Sequence, residues 1–386
     1  MSCSDPFPIK RRPCKKIHVG NVAIGGDAPI VVQSMLTNET ANVKETVEQI
    51  HRLADVGCEI IRVAVPHKAD AEALKEIVPK SPIPIIADIH FDYRMALMAA
   101  DNGVHGLRVN PGTISQKEFI KKIVDKAKER ELPIRIGVNS GSVEKEIKEK
   151  HPGDMITQLV ESAMLNIRLL EDEDFEDIKV SVKASDPMAM VAAYRRVAEL
   201  IPYPLHLGVT EAGTLKRGLV KTSVAMGILL SEGIGDTIRV SLTADSIEEV
   251  FAGYEILRSL NLRKSGSNLV SCPSCGRCEV DLHGMANHVE GLMAKMDKDN
   301  PEKSLDVAVM GCFVNGPGEC GEADIGIAGG KDQYYIFKGE DVLAKLPEKE
   351  AMERFEQEMK QAYTLKQAES TDKNPTIKPD PEPVSV

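Results

Sequence analysis

Three cysteines, Cys272, Cys275 and Cys278, fall within the seven residues CPSCGRC, and Cys312 and Cys320 follow closely. Thiols at such tight spacing are ligand-like or redox-active. A thioredoxin-like pair would use two of them and leave the others idle. A zinc site from Cys272, Cys275, Cys312 and Cys320 matches ribbon-type pairing. An iron–sulfur cluster matches the C-x2-C-x2-C opening of a ferredoxin run. Spacing alone does not separate zinc from iron–sulfur. A secreted disulfide framework is disfavoured, because five of the eight cysteines cluster locally in a chain of 386 residues. His283 and His288 stand five apart on a predicted helix and do not share a face.

A second set of residues carries charge where it is costly. Arg62, Arg108, Arg135, Lys183 and Arg239 each interrupt a short apolar, β-branched run. A buried, unpaired charge costs several kcal/mol, so these cations need counter-ions. Asp88 and Glu211 supply some, and a bound polyanion would supply the rest. Arginine suits phosphate because its planar fork donates two parallel hydrogen bonds. The chemistry indicated is the binding of a small phosphorylated, and by the number of cations diphosphorylated, substrate. His90 and His206 lie in the same runs; each reads equally well as an acid/base group or as a satisfied polar side chain.

Positioning these residues requires eight strands. The candidates cover 30–36, 58–65, 82–90, 105–112, 132–141, 177–185, 203–213 and 236–245, and segments of helical period separate them. In NVKETVEQIHRLADVG, Val43, Val47, Ile50, Leu53 and Ala54 share one helical face, and Gly57 follows as a cap. Eight strand–helix units predict an α/β fold of the TIM (β/α)8 type, whose chemistry sits at the C-terminal ends of its strands. A doubly wound sheet would show a glycine-rich turn after its first strand; none is present. The gap 141–177 predicts one elaborated loop. From about Ser267 a small α+β domain is expected, with a helix over 280–296 and strands near 305–311, 324–328 and 334–338. The predicted boundaries are 1–28 for an N-terminal segment, 29–264 for the barrel, 265–365 for the second domain and 366–386 for a disordered tail.

Composition narrows the functions. The formal net charge of −11, the absence of Trp and an aromatic content of 4% argue against a nucleic-acid partner. No apolar run approaches membrane-spanning length. MSCSDPFPIKRRPCKK lacks the apolar core of a secretory signal, so a cytoplasmic protein is expected.

The stretches QSMLTNET, ADIHFDYR, LRVNPG, IRIGVNSGS, KVSVKASD, HLGVTEAG, LSEGIGDTIRVSL, CPSCGR and MGCFVNGPGE together resemble the 4-hydroxy-3-methylbut-2-en-1-yl diphosphate synthases of the non-mevalonate isoprenoid pathway. The likeness runs from about residue 15 to 330. It implies a TIM barrel followed by a small α+β domain holding a [4Fe–4S] cluster. The reaction implied is reductive ring opening and dehydration of 2-C-methyl-D-erythritol 2,4-cyclodiphosphate, with flavodoxin or ferredoxin as electron donor. The ligands implied are Cys272, Cys275, Cys312 and Glu319, with Cys278 and Cys320 as bystanders. The resemblance further implies that Arg62, Arg108, Asn110, Arg135, Asn139, Lys183, Arg239 and Ser241 bind the substrate. Asp88, His90 and Glu211 are the acid/base candidates, Glu211 foremost. A homodimer is also implied, one subunit's cluster domain capping the other's barrel. The rival readings are a non-catalytic zinc-binding scaffold and another barrel enzyme acting on a phosphorylated metabolite.

Overall fold

The computed structural model describes residues 8–109, 114, 116–263, 266–299, 303–314 and 316–372. The chain divides into two units, Met1–Arg263 and Lys264–Val386.

The first unit opens with an antiparallel hairpin of β1 (Ile17–Val19) and β2 (Val22–Ile24). Gly20, at φ +57°, allows its two-residue turn. Eight further strands follow: β3 (Val31–Met35), β4 (Ile60–Ala64), β5 (Ile85–Ile89), β6 (Gly106–Val109), β7 (Ile134–Asn139), β8 (Ile178–Lys183), β9 (His206–Leu207) and β10 (Thr237–Ile238). They run parallel in the order β8-β7-β6-β5-β4-β3-β10-β9. A parallel bridge from Val180 to Leu205 closes the circle between β8 and β9. The TIM barrel read from the sequence is therefore present, with all eight strands at the expected places. The elaborated loop holds helices Lys145–Lys150 and Met155–Glu171.

Side-chain alternation explains how these strands carry charge. Ile61, Val63, Ile85, Ala87, Ile89, Ile134, Ile136, Val138, Ile178, Val180 and Val182 all join one buried apolar core with the helices. The alternate positions Arg62, Asp88, Arg108, Arg135, Lys179 and Lys183 belong to the opposite, barrel-interior face and are equally buried. What reads as continuous apolar sequence is thus a period-2 pattern with polar groups on the interior face. At the N-terminal end of the strands this gives way to apolar residues. Ile17, Val19 and Ile24 of the hairpin pack with Val31, Ile60 and Ile86. The expected N-terminal segment is therefore partly a folded hairpin packed on the barrel strands.

All eight strands are shorter than predicted, and β9 and β10 shrink to two residues each. β9 stops at Leu207, although Thr210 still donates its N–H to Ala184 O at 3.3 Å; the chain turns beyond that, at the positive φ of Glu211 (+54°) and Gly213 (+110°). β10 stops at Ile238, and side chains hold the residues beyond it.

In the second unit β11 (Asn268–Ser271), β12 (Asp306–Met310), β13 (Ile325–Gly330), β14 (Gln333–Lys338) and β15 (Asp341–Leu346) form one sheet in sequence order. The first three are parallel and the last pairs antiparallel. Helices Leu282–Asp299, Gly316–Glu322 and Glu348–Asp372 complete it. The last helix continues past 366, where the tail is expected to begin. Its stripe of Ala351, Phe355, Met359, Ala362 and Tyr363 is buried against the sheet and helix Leu282–Asp299, and this packing carries the helix onward. No helix among the described residues is long and apolar enough to cross a membrane.

Candidate active site

Parallel pairing places Asp88 beside Arg108, Arg108 beside Arg135, and Arg135 beside Lys179, one line of neighbours across β5, β6, β7 and β8. Asp88 is the hub. Its Oδ1 accepts from Arg108 at 3.0 Å, and its Oδ2 lies 3.3 Å from Arg62 Nε and 3.6 Å from His90 Nε2. Burial pushes the Asp88 carboxyl up, but Arg62, the bond from His90, Arg108 and Arg135 outweigh it and hold it well below the usual carboxylate range. Arg62 moves the other way from a simple ion pair. Burial and the nearby Arg239 and Arg108 overcome the pull of Asp88, and its pKa falls to about 10, still charged at neutral pH.

The rest of the interior is cationic and under-satisfied. Burial first, then neighbouring guanidinium groups, push Arg135, Lys179 and Lys183 well below their ordinary values. Among the described residues, Arg135 Nε and Nη1, Arg108 Nε, Arg239 Nε, Lys179 Nζ and both amide atoms of Gln33 meet no hydrogen-bond partner. Buried polar groups normally find one. Among the described residues, Arg62, Arg108, Arg135, Lys179, Lys183 and Arg239 thus face only Asp88 and Glu249 as direct ion-pair partners. A polyanion between them would supply the missing acceptors.

Two glycines make room for these long side chains. A Cβ on Gly137 would lie 2.7 Å from Arg108 Nε and 2.9 Å from its Nη2, and one on Gly208 would lie 3.0 Å from Lys183 Nζ. We expect Gly137→Ala to cost about 1–3 kcal/mol by overpacking and to raise the KM for an anionic substrate. Thermal melting and steady-state kinetics check this; unchanged values of both would contradict it.

The remaining predicted residues separate. Arg239 lies beyond β10, paired to Glu249 at 3.4 Å. Ser241 and Asn139 are half-buried. His90 is half-exposed beside the buried hub. Asn110 lies outside the described residues. Glu211 does not end a strand, as the sequence suggests; it is an exposed loop residue four positions beyond β9, and its left-handed backbone is unusual for a side chain other than glycine. His206 is a core residue. Its Nδ1 pairs with Thr237 Oγ1 at 2.7 Å, and burial, followed by nearby Arg135 and Lys183, keeps the ring neutral.

In the second unit, Cys272 directly follows β11 and Cys312 lies two residues past the adjacent parallel strand β12. The Gly311 N–H donates to Cys272 Sγ at 3.3 Å. Cys275 is exposed, and the Arg277 backbone N–H, with its side chain and charge, draws its thiol pKa down. Glu319 stands in the first turn of helix Gly316–Glu322. Cys320 is fully buried with Ala308, Met310, Ala328 and Phe337, and burial raises its thiol to about 12. All the described cysteines are unbridged. Among the described residues no three His, Cys, Asp or Glu side chains already converge as a metal-holding group. The donor set nevertheless fits a thiolate-ligated cluster: free thiols at the same ends of neighbouring strands, one with a backbone N–H on sulfur and one with a lowered pKa. Cys320, inert and enclosed, does not fit that role.

The GcpE TIM-barrel domain matches residues 14–254, and the GcpE protein C-terminal domain matches residues 268–361. This chain belongs to the GcpE family. Its relatives include 4-hydroxy-3-methylbut-2-en-1-yl diphosphate synthase (flavodoxin) of Lawsonia intracellularis, 54% identical over 327 residues, 85% of this chain and 90% of the relative. The protein of that name from Geobacter sulfurreducens is 52% identical over 86% of this chain and 93% of its own length. The one from Clostridium tetani is 51% identical over 91% and 99%.

Two buried groups of this GcpE barrel escape sequence reading. Lys179 shares the period-2 face of Lys183, four positions earlier in the same strand, and that alternation is the signal that could have found it. Glu249 carried no such signal, because it lies in the first turn of helix Ser246–Ser259, where a carboxylate ordinarily answers the helix dipole.

Proposed function

We propose that this chain converts 2-C-methyl-D-erythritol 2,4-cyclodiphosphate to 4-hydroxy-3-methylbut-2-enyl diphosphate. Two electrons and two protons enter, the ring C–O bond breaks, and one water leaves. The observation that carries this reading is GcpE membership across both units, at over 50% identity to synthases of that name. The zinc scaffold and the other phosphometabolite barrel are not favoured by that membership.

In this reading Arg62, Arg108, Arg135, Lys183 and Arg239 bind the diphosphate, with Asn110, Asn139 and Ser241 as further contacts. The unpartnered guanidinium nitrogens support this, since phosphate oxygens are the acceptors they lack. Asp88 keeps Arg62 and Arg108 aimed. His90 and Glu211 are the proton carriers. Glu211 presents an exposed carboxyl that can deliver a proton to the oxygen leaving the carbon skeleton, and His90 is steered by Asp88. Cys272, Cys275, Cys312 and Glu319 would hold a [4Fe–4S] cluster, which when bound supplies electrons one at a time. Flavodoxin is the electron donor in the relatives' names, and a donor of that kind is proposed here. We also propose that the chain acts in the cytoplasm as a homodimer.

The metal assignment is tested on anaerobically purified protein. About four irons per chain with a broad visible absorption are expected. Cys272→Ser should lose most of the iron, whereas Cys320→Ala should retain it. Retention in the first variant or loss in the second would overturn the assigned ligands.

A further inference from the structure

The seam between β10 and β3 is short. Its register ends at Ile238 opposite Val32. Beyond that point Arg239 still donates its backbone N–H to Leu207 O on the β9 side, at 3.0 Å. On the β3 side a single carboxylate takes over from the ladder. Glu249 Oε2 accepts from Ser34 Oγ of β3 at 3.2 Å. Glu249 Oε1 accepts from the Leu242 backbone N–H at 2.9 Å. Arg239 Nη2 stands 3.4 and 3.5 Å from the two oxygens. Glu249 is 4% exposed and Ser34 fully buried, so water does not compete for these bonds. One side chain therefore ties the Arg239–Leu242 segment, which contains Ser241, to the neighbouring strand. It also fixes one edge of the Arg239 guanidinium and leaves Nε without a protein partner among the described residues.

We infer that Glu249 is a positioning residue for the substrate's diphosphate, acting through Arg239 and the segment that carries Ser241. The inference rests on the proposed reading of Arg239 and Ser241 as diphosphate contacts. A free arginine side chain spreads over many rotamers, and each must be given up when it grips a ligand. Pairing one edge to a buried carboxylate removes that freedom beforehand and turns the unused donors in one direction. The same carboxylate holds Leu242 N–H, so losing it would release side chain and backbone together. Its effect belongs in binding rather than in the chemical step.

The test compares Glu249→Gln, Arg239→Met and the double variant, all as iron-loaded enzyme, with the cyclic diphosphate as substrate. Glu249→Gln should raise KM about tenfold while kcat changes less than about twofold, a split that marks lost uniform binding. Its iron content should stay unchanged. Arg239→Met should raise KM further, and adding Glu249→Gln to it should change little, because both act on one contact. A rise in KM from Arg239→Met but none from Glu249→Gln would overturn the inference. So would effects that simply add. No rise from Arg239→Met would instead overturn the diphosphate reading beneath it. Should Glu249→Gln fail to fold, Ser34→Ala removes one of its donors and should raise KM about two- to threefold; an unchanged KM there overturns the inference as well.

Discussion

Asp88→Ala should destabilise the protein by about 3–5 kcal/mol, the usual result of removing one member of a buried, hydrogen-bonded charge pair. Asp88 is 2% exposed and is the carboxylate that pairs Arg62 and Arg108. Without it, both guanidinium groups remain buried beside Arg135 and Lys183 and lose the carboxylate that pairs them. Denaturant unfolding measures the loss, and a change below about 1 kcal/mol would show that the cations are not held by this carboxylate. A pH dependence follows with a fixed sign. The folded carboxyl titrates below its usual range, whereas the unfolded one titrates near 3.9. Its stabilising contribution is therefore complete above about pH 4 and declines as pH falls below that. Wild-type stability should drop faster than that of Asp88→Asn on acidification.

Arg135→Met should act in the opposite direction on stability and be severe for function. Arg135 is 2% exposed, and its Nε and Nη1 lack partners among the described residues. Replacing buried ion pairs by apolar residues of similar volume is often neutral or stabilising by about 1–4 kcal/mol, and Arg135, whose Nε and Nη1 are unpartnered among the described residues, leaves no stranded carboxylate behind when it is replaced. The free variant should melt at or above the wild-type temperature. Binding of the diphosphate would lose a charge-assisted donor worth about 2–3 kcal/mol, so kcat/KM should fall about 30- to 150-fold. Together the two variants separate what stabilises the barrel from what recognises its guest. If Arg135→Met were strongly destabilised with intact kcat/KM, the group would be a structural core residue.

Much of this arrangement is legible from sequence because β/α alternation and charge inside apolar strands are strong local signals. Arg62, Arg108 and Arg135 stand out for that reason. Lys179 does not, since the eye counts one lysine per strand unless the inward period is followed residue by residue. The hairpin at 17–24 is short, and its apolar residues find partners only when strands distant in sequence converge. Helix Gly316–Glu322 is hidden because Gly316, Pro317 and Gly318 oppose helix propensity. Gly316 is needed for packing, since a Cβ there would come 2.7 Å from Ala328 Cβ. Cysteine spacing could not reveal that Cys320 is enclosed by the second core, as tertiary packing alone decides which thiols are accessible. Glu249 lies in the same category, being brought to the barrel seam by a helix.

In the proposed function a cationic barrel and a cluster-binding unit of one chain together perform a reductive ring opening. The most direct measurement is anaerobic turnover. Iron-loaded protein is mixed with 2-C-methyl-D-erythritol 2,4-cyclodiphosphate and reduced flavodoxin, with dithionite as a second reductant, and the phosphorus-containing species are followed by NMR. The cyclic diphosphate should disappear and the linear allylic diphosphate appear, with two electrons consumed per product. An intact cyclic diphosphate in the presence of brown, reducible protein under both reductants would contradict that function.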